Sequence, residues 1–185
     1  MTDKEVRGKL KVALDKLYQN DYSLIRRLCS ERSIVFKLGI YLAQEFEGTR
    51  FDVDCEYNKN GVKPKALLGK RTNFPDIIVH KREQNENNLL IIEVKTPNDT
   101  NQKHFEADRE KLVGFTGEIP YLYQLGGHLY ISGTQCRIVW YSQGKCSGYC
   151  AYKIKRDEHM LQEIREINEL KKCAFDRWYF HCLGI

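Results

Sequence analysis

The sequence predicts a mixed α/β protein in which helices flank one central sheet. Two segments with helical spacing of apolar residues come first, and three strand-like segments follow. The predicted order of elements over the whole sequence is α-α-β-β-β-α-β-β-(β)-α. At 185 residues the chain is long enough for one domain with its own core and too short for two full-sized ones. We therefore predict a single domain over 1–185.

Two amphipathic helices are predicted at the start of the chain. Apolar residues recur on one stripe over 3–19, and a second helix starts at the N-cap residue Ser30 and ends at Gly48. Glu31 stands in the first turn of the second helix, and the positions three, four and seven residues later are apolar. We expect its side chain to face the core, although a carboxylate there also suits the helix dipole.

Strands and one further helix follow. The predicted strands are 51–57, 76–80, 89–96, 121–132, 137–141 and 149–154. The predicted helices are 100–113, which Gly114 and Gly117 break, and 156–172. The segment 58–73 contains glycine, proline and five basic residues, which indicates a mobile basic loop. Its basic residues are Lys59, Lys63, Lys65, Lys70 and Arg71.

The charge balance limits the possible partners. The chain has 30 Lys and Arg residues against 25 Asp and Glu, a formal net charge of +5 at pH 7, which fits a polyanionic partner without requiring one. No apolar run approaches the roughly 20 residues that span a bilayer, which argues against a membrane partner. The charged first residues lack a signal-peptide pattern, so we expect a cytoplasmic protein with free thiols.

The segment between 75 and 95 carries the candidate site. Glu93 and Lys95 are two residues apart in a strand, so their side chains share a face. A symmetric hairpin centred between Gln84 and Asn85 places Asp76 directly across from Glu93, with Cβ atoms roughly 4.5–5.5 Å apart. Farther along, Asp108 is expected to face inward on its helix and to form a structural salt bridge.

Two carboxylates at that distance repel each other unless a cation lies between them or one takes a proton. Mg²⁺ or Mn²⁺ is the usual cation for an all-oxygen site. Beside them, Lys95 could orient or deprotonate a water and stabilise charge on a phosphate, which is what metal-assisted phosphodiester hydrolysis requires. The alternative is a salt-bridged strand end, in which Lys95 neutralises both acids.

These residues together resemble a known enzyme superfamily. Pro75-Asp76, sixteen intervening residues, and Glu93-Val94-Lys95, preceded by a helix with Glu31, are similar to the PD-(D/E)XK nuclease superfamily, most of all to its resolvase-like and uncharacterised bacterial branches. The resemblance covers about 30–132 and implies a restriction-endonuclease-like core of order αβββαβ with N- and C-terminal additions.

The resemblance also implies residue roles. Asp76 and Glu93 would bind the divalent metal with help from the Val94 carbonyl, Lys95 would be the catalytic lysine, and Glu31 would act on metal or water. Beside such a site, the basic residues of 58–73 would be well placed to hold phosphates. These residues are Lys59, Lys63, Lys65, Lys70 and Arg71.

The expected function is therefore that of a Mg²⁺- or Mn²⁺-dependent nuclease acting on DNA in preference to RNA, most simply as an endonuclease. The alternative is a non-catalytic nuclease-like module that binds DNA or protein, because a fold does not guarantee a function. A homodimer or a place in a larger complex is compatible with either reading.

Overall fold

A six-stranded mixed sheet with helices on both faces forms the protein, so the predicted α/β class is confirmed. The computed structural model describes residues 1–67 and 74–153. The helices are α1 (Asp3–Asn20), α2 (Tyr22–Arg26), α3 (Glu31–Phe46) and α4 (Gln102–Gly117). The strands are β1 (Asp52–Cys55), β2 (Lys59–Asn60), β3 (Lys63–Pro64), β4 (Ile77–His80), β5 (Leu90–Lys95), β6 (Leu125–Ile131), β7 (Gln135–Ser142) and β8 (Lys145–Lys153).

The sheet order is β1-β4-β5-β6-β7-β8, while β2 and β3 pair as a separate small hairpin. Strand β5 pairs in parallel with β6, and the other neighbours in the large sheet are antiparallel. A parallel pair needs a crossover connection, which α4 supplies. Helix α4 therefore passes over the sheet next to the end of β5.

Side-chain alternation divides the core into two layers. On one face, Ile77 and Ile92 pack with α1 and α3, and on the other face Ile78 and Ile91 pack with α4. Strand β5 is buried along its whole length. A polar side chain on the α4 face of β5 therefore enters an environment with little access to water.

The predicted hairpin register is confirmed. Ile77 pairs with Ile92, Ile78 with Ile91 and Val79 with Leu90, which is the register that continues to Asp76 opposite Glu93. The predicted start of the second helix is also confirmed, because α3 begins after Ser30, whose hydroxyl accepts a hydrogen bond from the Ser33 amide.

Several predicted boundaries are wrong. Helix α4 extends past the predicted end at 113 and past Gly114 to Gly117, the second of the two predicted breakers. Gly114 lies inside the helix, where an added Cβ would lie 2.7 Å from the Leu67 side chain. The short helix α2 was not predicted. Strand β8 starts at Lys145, before the predicted 149. The predicted helix 156–172 lies outside the described residues, as do Lys70 and Arg71.

The basic segment after β1 differs most from its prediction. Within 58–67 it forms the β2–β3 hairpin rather than an irregular loop, with Lys59 and Lys63 exposed. Lys65 was expected to face solvent, but it is only 3% exposed and its Nζ donates to the Tyr123 hydroxyl at 2.6 Å. The ammonium also lies 5.0–5.9 Å from the ring centroids of four aromatic residues. They are Tyr57, Phe115, Tyr121 and Tyr123. Lys65 is thus positioned as a core residue and not as a phosphate contact.

Lys65 should make the stability of the protein depend on alkaline pH. Burial lowers the pKa of Lys65 from 10.5 to about 8. Between these values the folded state binds fewer protons than the unfolded state, so the contribution of Lys65 to stability rises as the pH rises through that window. The difference in unfolding free energy between Lys65→Met and wild type should therefore shift by about 2 kcal/mol in favour of the wild type when the pH is raised from about 6.5 to about 10.

Urea unfolding of both proteins at the two pH values measures this difference. Lys63→Met, which removes an exposed lysine from the same hairpin, is the control. A difference between Lys65→Met and wild type that stays constant with pH would contradict the assignment.

Candidate active site

Strand β5 presents Glu93 and Lys95 to the face covered by α4. Glu93 is 1% exposed, and its Oε2 accepts a hydrogen bond from Lys111 Nζ at 2.8 Å. Its other oxygen, Oε1, is buried and has no hydrogen-bond partner among the described residues. A carboxylate in this position lacks the full set of partners that a purely structural acid normally has.

Asp76 lies one residue before β4, beside Glu93 in the confirmed register. Its Oδ2 accepts a hydrogen bond from the Val94 amide at 2.7 Å, which fixes the Asp76 carboxylate against the end of β5. Burial raises the pKa of Asp76, and the Val94 amide partly offsets this rise. Burial first, and then the charges of Asp76 and Asp108, raise the pKa of Glu93 well above its usual range.

Lys95 is held by several carboxylates. Its Nζ lies 2.7 Å from Asp108 Oδ2, 3.6 Å from Glu31 Oε1 and 3.8 Å from Asp99 Oδ2, and it donates to the Val94 carbonyl at 3.3 Å. Burial alone would lower the pKa of Lys95, but Asp108 and Glu31 outweigh it and raise that pKa above 10.5. Lys95 is therefore an ammonium ion at neutral pH.

Glu31 reaches the same place from the first turn of α3, as its position on the apolar stripe predicted. Its side chain is 30% exposed, so it lies at the border between the buried residues and solvent. Burial raises the pKa of Glu31 to about 7, although the Lys95 charge opposes this rise. Near neutral pH this carboxyl can therefore either hold or accept a proton.

Asp108 and Lys111 on α4 complete the arrangement. Asp108 is 5% exposed and lies 2.8 Å from Lys111 Nζ through Oδ1 as well as 2.7 Å from Lys95 Nζ through Oδ2, so the expected salt bridge is confirmed. Burial would raise the pKa of Asp108, but Lys111 and Lys95 lower it below 3.8. Lys111 was not predicted as a site residue, although its position three residues after Asp108 puts both on one helix face.

We call these six side chains the charged cluster: Glu31, Asp76, Glu93, Lys95, Asp108 and Lys111. Four carboxylates in the cluster face two ammonium groups, which leaves a surplus of negative charge in a largely buried place. Such a surplus is relieved by protons or by a further cation. Burial is the main cause of the raised pKa values of Glu31, Asp76 and Glu93, and the charges of neighbouring carboxylates add to it.

The charged cluster contains the carboxylate oxygens that hard divalent cations prefer as ligands. Its side chains are not arranged as a preformed metal site. Over 1–67 and 74–153, no group of three or more His, Cys, Asp or Glu side chains is placed to hold a metal ion. The residues predicted as ligands nevertheless fit Mg²⁺ or Mn²⁺, because Asp76 and Glu93 supply carboxylate oxygens and Glu93 Oε1 is buried without a hydrogen-bond partner in those ranges.

The fold and the cluster together define a mixed α/β protein with a buried, excess-acidic site at the carboxyl end of a central strand. No protein-family model matches the sequence, and no curated protein matches it either. None of the described helices is both long and apolar enough to cross a membrane.

The partly buried Glu31 carboxyl should appear in the pH dependence of stability. The pKa of Glu31 is about 7 in the folded protein and about 4.5 when unperturbed, so the folded state binds more protons between these values. The contribution of Glu31 to stability should therefore fall as the pH rises from about 4.5 to about 7. The difference in unfolding free energy between Glu31→Gln and wild type should therefore shift by about 1 kcal/mol in favour of the variant over that range, a value reduced for the partial exposure of Glu31.

Thermal or urea unfolding in a chelator at the two pH values provides the measurement. Glu47→Gln, which alters an exposed carboxylate at the other end of the same helix, is the matched control. A Glu31→Gln variant that loses stability relative to wild type as the pH rises would show that the Glu31 carboxylate is favoured, not disfavoured, in the folded protein.

Proposed function

We propose that this protein is a metal-dependent nuclease that hydrolyses phosphodiester bonds by activating a water molecule. The observation that carries the proposal is the pairing of Asp76 and Glu93 at the end of β5, within an acidic surplus that Lys95 and Lys111 only partly neutralise. Acidic oxygens for a cation, a fixed ammonium and an acid with a pKa near 7 are the groups that this reaction needs.

The topology supports a restriction-endonuclease-like core. The elements α3, β1, β4, β5, α4 and β6 follow one another in the order αβββαβ that the PD-(D/E)XK resemblance implies, apart from the β2–β3 hairpin inserted after β1. Strands β1, β4, β5 and β6 are adjacent in this order and make up four of the six strands of the large sheet. Helices α1 and α2 and strands β7 and β8 would then be additions to that core.

In the proposed reaction, Asp76 and Glu93, with the Val94 carbonyl, would hold Mg²⁺ or Mn²⁺. When bound, such an ion supplies neutralisation of phosphate charge and lowers the pKa of water. Asp108 holds the Lys95 ammonium in place, so Lys95 is suited to donate a hydrogen bond to a phosphate oxygen rather than to remove a proton. Glu31 is the group suited to accept the proton of the attacking water.

The preference for DNA over RNA comes from the family resemblance. Exposed Lys59 and Lys63 on the β2–β3 hairpin offer two positive charges for phosphate contacts. A cytoplasmic location, an endonuclease mode of action and a homodimer or larger assembly remain predictions.

A second candidate function is a nuclease-like module that binds nucleic acid or protein without cleavage. One observation favours it: both lysines of the charged cluster are already paired with carboxylates, as the salt-bridged alternative expects. In that case Lys111 would be the permanent counter-ion of Glu93, and no divalent cation would be needed.

Cleavage assays separate the two functions. With Mg²⁺ or Mn²⁺, the purified protein should cleave at least one of single-stranded, duplex or branched DNA. Glu93→Gln and Lys95→Ala should each reduce the rate by about a hundredfold or more, because each removes a group that acts on the reacting phosphate or its cation.

Lys103→Ala, an exposed lysine at the start of α4, is the control for loss of positive charge, and circular dichroism checks folding of each variant. Absence of cleavage of these DNA substrates and of RNA with either metal would favour the binding module. Full activity of Glu93→Gln would reject the proposed site.

A further inference from the structure

We propose that the Lys111 ammonium is a built-in substitute for the divalent cation: it neutralises Glu93 while no metal is bound and leaves that carboxylate when a metal binds. The inference rests on the proposed function, because it concerns the same site. It goes further by assigning to Lys111 a competition with the metal.

Lys111 bridges the strand and the helix that form the site. Its Nζ lies 2.8 Å from Glu93 Oε2 and 2.8 Å from Asp108 Oδ1. A buried ionised carboxylate needs a counter-charge, and within the described residues Lys111 is the cationic side chain that forms an ion pair with Glu93. Asp108, by contrast, retains Lys95 at 2.7 Å if Lys111 moves away.

The two lysines of the charged cluster differ in how firmly they are held. The Lys95 side chain is 8% exposed and lies within 4 Å of three carboxylates. The Lys111 side chain is 23% exposed and contacts two. Rotation about the side-chain bonds of Lys111 can therefore carry its ammonium into solvent, whereas the same motion of Lys95 would leave Asp108 and Glu31 without their common partner.

One oxygen of the Glu93 carboxylate is available to coordinate a cation. Its Oε1 is buried and accepts no hydrogen bond from the described residues, while its Oε2 is bound to Lys111. A divalent cation bound by this carboxylate would face the Lys111 ammonium across a few ångströms of low-dielectric interior, where like charges repel strongly. Binding of the cation and retention of the Lys111–Glu93 pair are therefore opposed.

Removing the Lys111 charge should consequently strengthen metal binding. Lys111→Met keeps the apolar stem and removes the ammonium, so the affinity for Mn²⁺ should rise about tenfold. The metal-free variant should unfold at a lower temperature than the wild type, and Mn²⁺ should remove most of that deficit. Lys111→Gln, which keeps a hydrogen-bond donor without the charge, should show the same direction.

Isothermal titration with Mn²⁺ alone, together with thermal unfolding in EDTA and in Mn²⁺, measures both effects without any substrate. The matched control is Lys103→Met, which removes an exposed lysine from the same helix and should leave the Mn²⁺ affinity unchanged within about twofold. If Lys111→Met folds only with Mn²⁺, the proposal is supported. If it folds under neither condition, the Lys111→Gln titration decides.

Unchanged or weaker Mn²⁺ affinity in the Lys111 variants overturns the inference, as does a wild-type protein that binds no Mn²⁺. The proposed function fails separately. Tighter Mn²⁺ binding by the variants without cleavage by the wild type upholds the inference and rejects the nuclease. Metal-dependent cleavage by the wild type with unchanged affinity in the variants rejects the inference alone.

Discussion

The Glu93 carboxylate, buried within a strand that is buried along its whole length, sets the constraint on which the site depends. A negative charge there is tolerated only when positive charge is brought to it or when it takes a proton. Lys111 brings that charge from α4, and Asp108 links Lys111 to Lys95. The carboxylates of Asp76 and Glu31 then exceed what the two lysines can neutralise, which makes the end of β5 suited to a cation.

The scaffold explains how distant residues meet there. The parallel β5–β6 pair requires a crossover, and α4 as that crossover carries Asp108 and Lys111 over the sheet. The antiparallel β4–β5 hairpin brings in Asp76 from the other side, and the first turn of α3 brings in Glu31. Each backbone connection therefore brings one part of the charged cluster to the end of β5.

Sequence reasoning succeeded where local rules decide the outcome. The Asp76–Glu93 register follows from a symmetric hairpin, and the inward position of Glu31 follows from helical periodicity after a serine cap. Both rest on spacing within one helix or one hairpin, which the sequence displays directly.

The failures come from contacts between segments far apart in the chain. Nothing near Lys65 indicates that Tyr121 and Tyr123 will cover it, so its charge predicted an exposed position. Gly114 suggested a helix end because glycine often ends helices, whereas here it makes room for Leu67. Lys111 was overlooked because it lies among several charged residues of α4, although its spacing from Asp108 was visible.

A crystal grown with Mn²⁺ and measured at a wavelength where manganese scatters anomalously would test the central claim most directly. We expect an anomalous peak within about 2.5 Å of carboxylate oxygens of both Asp76 and Glu93, with Lys95 still paired with Asp108. The absence of a peak at that position in crystals saturated with Mn²⁺, with Glu93 still bound to Lys111, would contradict the claim that the end of β5 is a cation site.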